Sequence, residues 1–125
     1  MDGILILAHG SKRIETEEVM DSLVEKVRKK SGNRLVYPCY LQFSDNNLEK
    51  GVERLVGKGA SSISVIPLFL FDGVHVTQDI PEEIEGIKAK HPGVEIMLGS
   101  HIGADDRLAD IVMDRVAALR KGCGG

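Results

Sequence analysis

Two imidazoles in this sequence could do chemistry: His9, in Ala8-His9-Gly10-Ser11, and His75, in Gly73-Val74-His75. Each follows a short apolar run, residues 4–8 in the first case and 63–71 in the second, and each has a glycine close by. Neutral imidazole is a common ligand for borderline divalent cations such as Co²⁺, Ni²⁺, Fe²⁺ and Zn²⁺. Two such ligands make an open, weak site, short of the three or four that hold a stable zinc. Weak holding suits a protein that must hand its metal on. Imidazole also titrates near neutrality, so one of the pair could accept a proton as metal enters. The plainer reading, in which each is a hydrogen-bonded loop residue at a strand end, stays open beside this one.

The remaining candidates are weaker. His101 follows Leu98-Gly99-Ser100 and could line the same cleft or be an ordinary loop residue. His91, before Pro92-Gly93, reads as a helix-ending turn. Cys39 and Cys123 are far apart and fit neither a disulfide framework nor metal spacing. Cys39 sits in an apolar strand run and reads as a small core residue, and neither thiol has an obvious neighbour to lower its pKa.

Four strand-like runs alternate with four helical periods, and these must position the histidines. After the first strand, Met20, Leu23, Val24 and Val27 recur on one helical face from about Glu15 to Lys30. Residues 35–41 read as a second strand, and Pro38 within it cannot donate a ladder hydrogen bond, which predicts a sheet edge. Ser44 or Asp45 is the expected cap of a second helix with Leu48, Val52, Leu55 and Val56 on its face. Residues 62–70 form the third strand, and Asp79-Ile80-Pro81-Glu82 predicts the start of a third helix burying Ile80, Ile84 and Ile87. Residues 94–98 are the fourth strand. The last helix, from about Asp105 to Arg120, is expected to bury Leu108, Ile111, Val112, Val116 and Leu119.

This alternation predicts an α/β fold with a four-stranded parallel sheet, order 2-1-3-4, and helices on both faces, a flavodoxin-like half-arrangement. Residues 1–121 read as a single domain and 122–125 as a flexible tail. Ligands of open parallel sheets bind beyond the carboxyl ends of the strands, where the strand order reverses. Here that point lies between strands 1 and 3, neighbours about 4.8 Å apart. Topology therefore brings His9 and His75 towards one crevice.

Composition narrows the class. A chain of 125 residues with 42% apolar and 28% charged content suits one ordinary globular domain. A formal charge of −3, with basic residues scattered apart from Arg28-Lys29-Lys30 at a helix end, argues against a nucleic-acid partner. No apolar run approaches the about eighteen residues of a membrane span, and no signal-peptide pattern opens the chain, so the expectation is a cytoplasmic protein without a membrane partner.

Leu7-Ala8-His9-Gly10-Ser11-Lys12-Arg13, then residues 66–75 (IPLFLFDGVH), then Asp79-Ile80-Pro81 together resemble the cobaltochelatase family acting on sirohydrochlorin, in its short single-domain form. Leu98-Gly99, Asp106-Arg107-Leu108 and Arg115 resemble that family's last strand and helix. The likeness covers nearly the whole chain. It implies ATP-independent insertion of Co²⁺ into the tetrapyrrole during cobalamin synthesis, with Ni²⁺ or Fe²⁺ insertion as alternatives. The metal is then a substrate, and no tightly bound cofactor is expected. Longer relatives hold two such domains, so a homodimer closing a cleft is implied. By motif position His9 and His75 carry over as metal-binding and catalytic residues, and Leu70, Phe71, Asp72, Gly73 and Val74 as the loop against the ring. Gln42 falls near a position that is acidic in many relatives; if it replaces that residue, the proton-accepting role rests more on the histidines.

Insertion requires loss of two pyrrole N–H protons and exchange of metal-bound water for ring nitrogens. The substrate bears eight carboxylates, so cations and helix N-termini should line its cleft. Lys12 and Arg13, beside the nest-like turn containing Gly10 and Ser11, are candidates, as well as plain solvated loop charges. Neither G-x-x-x-x-G-K-[ST] nor G-x-G-x-x-G occurs. Two rivals remain: a non-catalytic metal or tetrapyrrole carrier using the same residues, and a sugar-transport phosphocarrier phosphorylated on His9, which would not call for His75 or Asp79-Ile80-Pro81.

Overall fold

A computed structural model describes residues 1–71 and 73–122, and for residues 74–77, 121 and 122 the backbone alone. The elements are β1 (Asp2–Ala8), α1 (Ile14–Lys30), β2 (Leu35–Tyr40), α2 (Leu48–Gly57), β3 (Ser62–Pro67), α3 (Val74–Lys90), β4 (Glu95–Leu98) and α4 (Asp106–Gly122). The strands form one parallel sheet in the order β2-β1-β3-β4, as the alternating pattern predicts.

Strand β1 is central and reads as an unbroken apolar run because both of its faces are covered. Leu5 and Leu7 join Ile63, Val65 and Ile96 beneath the apolar stripes of α2 (Leu48, Val52, Leu55) and α3 (Ile80, Ile84, Ile87). Ile6 and Ala8 point the other way and meet Val36, Tyr40 and the α1 residues Met20 and Val24. Cys39 is wholly buried in the first of these cores, and burial pushes its thiol up to about 12, so it is an inert packing residue.

Pro38 does lie on an edge strand, and its neighbours complete that edge. Arg28 Nη2 donates to the Val36 carbonyl at 2.7 Å, and Asn46 Nδ2 donates to the Pro38 carbonyl at 2.9 Å. The Tyr40 N–H donates to the Asn46 carbonyl at 2.9 Å. Residues 36, 38 and 40 share one side of an extended strand, so these bonds satisfy successive outward-facing groups.

Three boundaries differ from expectation. Asn47, rather than Ser44 or Asp45, caps α2: its Oδ1 accepts from the Lys50 N–H at 2.9 Å, while Ser44 Oγ serves the loop by accepting from the Asn46 N–H at 3.1 Å. Replacing Asn47 with alanine should cost about 1 kcal/mol of stability, read as a lower urea midpoint at unchanged m-value. Helix α3 starts at Val74 rather than Asp79, placing Pro81 inside it. A proline there removes one backbone donor, and the burial of Ile80, Ile84 and Ile87 to 3% exposure or less holds the helix through it. Helix α4 runs to Gly122 rather than stopping at Arg120, and residues 123–125, with Cys123, lie outside the described residues.

The fourth difference is larger. Helix α4 does not bury its apolar face: Ile111, Val112, Val116 and Leu119 are 44%, 60%, 43% and 68% exposed, and only Leu108 is half-buried. Among the described residues, no helix is long and apolar enough to cross a membrane.

Candidate functional site

The site begins where β1 ends. The carbonyl of Ala8 accepts from the Leu41 N–H at 2.9 Å and that of His9 from the Gln42 N–H at 3.1 Å, so the β2–α2 loop clamps the backbone of His9. On the other side the Leu68 N–H donates to the Leu7 carbonyl at 2.8 Å, bringing the start of the β3–α3 loop alongside. Gly10 follows in a left-handed conformation with φ of 92°, and a Cβ there would stand 2.1 Å from the Gln42 carbonyl oxygen. Only glycine permits that approach.

His9 is exposed, and its ring lies against Phe69 with centroids 4.1 Å apart and planes tilted by 38°. Phe69 is itself 3% exposed and belongs to the core under α2 and α3, so it is a rigid backing for an imidazole open to solvent. Phe69 belongs to the third strand run and to the stretch that carries the resemblance, but it is not among the site residues expected from sequence. The apolar length of residues 63–71 hid it, because β3 itself stops at Pro67.

Exposed apolar side chains occur on the two loops that meet the end of β1. Leu41, Phe43, Leu70 and Phe71 are 37%, 55%, 54% and 82% exposed, although they are the residue types that folding normally hides. Exposed apolar residues of this kind are the sort found in ligand-binding grooves and at partner surfaces. Leu41 and Phe43 are additions to the sequence-based candidates. Gln42 lies between them, exposed, with its backbone against Gly10. Lys12 Nζ stands 5.4 Å from the centre of the Phe43 ring, a cation held over one of these side chains.

Ser11 Oγ accepts from the Arg13 N–H at 3.1 Å and shapes the turn into α1. Arg13 is the cap residue of α1 and pairs with Glu15 at 3.5 Å, both of them well exposed. Beside this turn a hollow of about 540 Å³ is lined by Ala8, His9, Gly10, Ser11, Met20 and Leu68, among others. The N-termini of α1 and α3 both lie at the carboxyl edge of the sheet, where their dipoles favour anions.

His75 falls on α3, at its second residue, rather than on a loop, and its backbone starts that helix at the same edge. Its side chain, that of Val74, and Asp72 altogether lie outside the described residues. Gly73 is the cap residue of α3. Among the described residues no three His, Cys, Asp or Glu side chains converge on a metal-sized point. His101 lines a separate hollow of about 400 Å³ with Asp105 and Arg107. The forked Arg107 guanidinium holds the Asp105 carboxyl well below the usual carboxylate range. His91 closes α3 at the opposite, amino edge.

Comparison with known proteins extends this picture. A family model described as CbiX matches residues 3–119. The chain is 34% identical over 116 residues to a sirohydrochlorin cobaltochelatase from Sulfurisphaera tokodaii, covering 93% of this chain and 92% of that protein. It is 32% identical over 116 residues to a sirohydrochlorin ferrochelatase from Priestia megaterium, covering 93% of this chain and 44% of that one. The crystal structure of the sirohydrochlorin chelatase SirB from Bacillus subtilis subspecies spizizenii, in complex with cobalt, superposes with a TM-score of 0.85 at 28% identity, over 94% of this chain and 50% of that one. The chain thus spans about half the length of the Priestia and Bacillus proteins and nearly all of the Sulfurisphaera one.

Proposed function

The chain belongs to the CbiX family, and from that premise we propose that it inserts a divalent metal, Co²⁺ foremost, into sirohydrochlorin without ATP, working in the cytoplasm as a pair of identical chains. The observation that carries this reading is the exposed imidazole of His9, backed by buried Phe69, with exposed apolar side chains on the two loops that meet the end of β1. The macrocycle lies on Leu41, Phe43, Leu70 and Phe71, with Gly73 allowing close backbone approach. Lys12, Arg13 and the N-termini of α1 and α3 hold its carboxylates.

His9 and His75 grip the cation loosely on one face of the ring. As two pyrrole nitrogens give up their protons to these imidazoles, their lone pairs take the metal and its water leaves. The imidazoles then release the protons to solvent. Gln42 supplies no carboxylate, so proton acceptance falls on the histidines. Weak, two-ligand holding suits a metal in transit, and supply selects among Co²⁺, Ni²⁺ and Fe²⁺ because intrinsic affinity does not.

The test is direct. Purified protein mixed with sirohydrochlorin and Co²⁺ should shift the tetrapyrrole absorption band faster than the protein-free control, with parallel Ni²⁺ and Fe²⁺ arms ranking the metals. Tight binding of both substrates without acceleration would instead identify a carrier, and the enzymatic reading would be withdrawn.

A further inference from the structure

A hollow of about 420 Å³ lies between α1 and β2, and none of its lining residues is shared with the hollow beside His9. Its volume falls within the range of small-molecule sites. Helix α1 contributes Glu17, Asp21 and Glu25, spaced four residues apart and so stacked turn above turn, and β2 contributes Tyr37 and Tyr40. A row of carboxylates is by itself a solvated helix face. Among the described residues it is no metal seat either, since no three His, Cys, Asp or Glu side chains converge on one point.

Two further groups change that reading. Tyr40 is only 3% exposed, yet its hydroxyl makes no hydrogen bond among the described residues. Burial, with the Glu17 and Asp21 carboxylates nearby, pushes that hydroxyl up to about 12, so it stays a neutral phenol. Asn46 lines the same hollow: its Nδ2 donates to the Pro38 carbonyl at 2.9 Å, while its Oδ1 is buried without a donor. A buried acceptor left in this state costs about 1–3 kcal/mol, and native proteins rarely leave one unanswered. The wall is rich in acceptors and short of donors.

The charges say which donor is missing. Glu25 is already paired with Arg28, whose guanidinium also holds the Val36 carbonyl at 2.7 Å. Glu17 and Asp21 form no ion pair among the described residues. A primary ammonium has three N–H groups, enough to offer one to each carboxylate and one to the phenol oxygen. The Tyr37 part of the hollow has the opposite sign. Arg54 stands 5.4 Å from the centre of the Tyr37 ring and is also without an ion pair among the described residues.

We propose that this hollow binds a short linear zwitterion, its ammonium among Glu17, Asp21 and Tyr40 and its carboxylate on Arg54. Positions 37 and 40 are about 10 Å apart along an extended strand, and a hydrogen bond of about 2.8 Å at each end leaves room for a few methylenes between the charges. A plain amine would leave Arg54 unmatched, and a plain carboxylate would face Glu17 and Asp21.

The probe is 4-aminobutyrate, titrated into the full chain without metal or tetrapyrrole while the backbone amide resonances are followed. The Asp21, Tyr40 and Asn46 amides should move together and saturate with a Kd of about 1 mM, a strength suited to a ligand of so few atoms, while the His101 amide stays still. Butylamine and butyrate, each lacking one end, should bind at least tenfold more weakly. Glu17→Gln with Asp21→Asn, both at exposed positions, and separately Arg54→Gln should each weaken 4-aminobutyrate at least tenfold. Tyr40→Phe should weaken it severalfold without lowering Tm, because no bond within the chain is lost. A lower Tm in that variant would show the hydroxyl engaged inside the chain and would overturn the proposal. So would butylamine or butyrate binding as tightly as 4-aminobutyrate, or no saturable shift by about 10 mM, which would mean that water alone fills the hollow. Each of these failures leaves the chelatase reading untouched.

Discussion

His9→Ala should lower the rate of metal insertion by about 10²-fold or more, the span expected when a positioned acid–base group is lost. The same change should cost no more than about 1 kcal/mol of stability, because His9 is exposed and its ring lies against one face of Phe69. Absorption kinetics with Co²⁺ and a urea titration on the same sample separate the two effects. Added free imidazole should restore part of the rate, since the vacated space beside Phe69 admits a ring of that size. If insertion proceeds at the unaltered rate, His9 neither holds metal nor takes protons, and the assignment fails.

Gly10→Ala should be costly in another way. Its φ of 92° and the 2.1 Å approach of a Cβ to the Gln42 carbonyl leave no room for the new methyl without moving a loop. Left-handed strain alone costs about 1–2 kcal/mol, and the clash adds to it. The backbone most easily displaced is the clamp between His9 and Gln42, so the imidazole shifts with it. A displacement of about 1 Å at a reacting group is enough for about 10²-fold in rate. Gly32→Ala supplies the control: φ there is 76°, but nothing lies within 4 Å of the added carbon. It should cost about 1 kcal/mol and leave the rate alone. Equal rate losses in both variants would remove the steric argument.

Much of the sheet was legible because its signals are local and agree with one another. Strand β1 is apolar on both faces, Pro38 marks the edge, and Leu48, Val52 and Leu55 show the face of α2 by spacing alone. The cap of α2 was not legible because Ser44, Asp45 and Asn47 are all competent acceptors, and the path of the loop chooses among them. The start of α3 was not legible because Pro81, a residue that ordinarily opens a helix, is held inside this one by the burial of Ile80, Ile84 and Ile87. Helix α4 was misread for a deeper reason. An apolar stripe reports that a face will be covered and carries no record of what covers it. At the site, His9 and its glycine could be found from their place after a strand. The exposed pair Leu41 and Phe43 could not, because residue type gives no measure of exposure.

The outer border of β2 has a consequence for life at high concentration. Its carbonyls at Val36 and Pro38 are occupied by Arg28 and Asn46, the amide of Tyr40 is engaged, and Pro38 has none to offer. A stray strand arriving from another molecule finds no row of open hydrogen-bonding groups to zip onto. Runaway ribbon growth is therefore blocked along that margin, and molecules can crowd together there without polymerising.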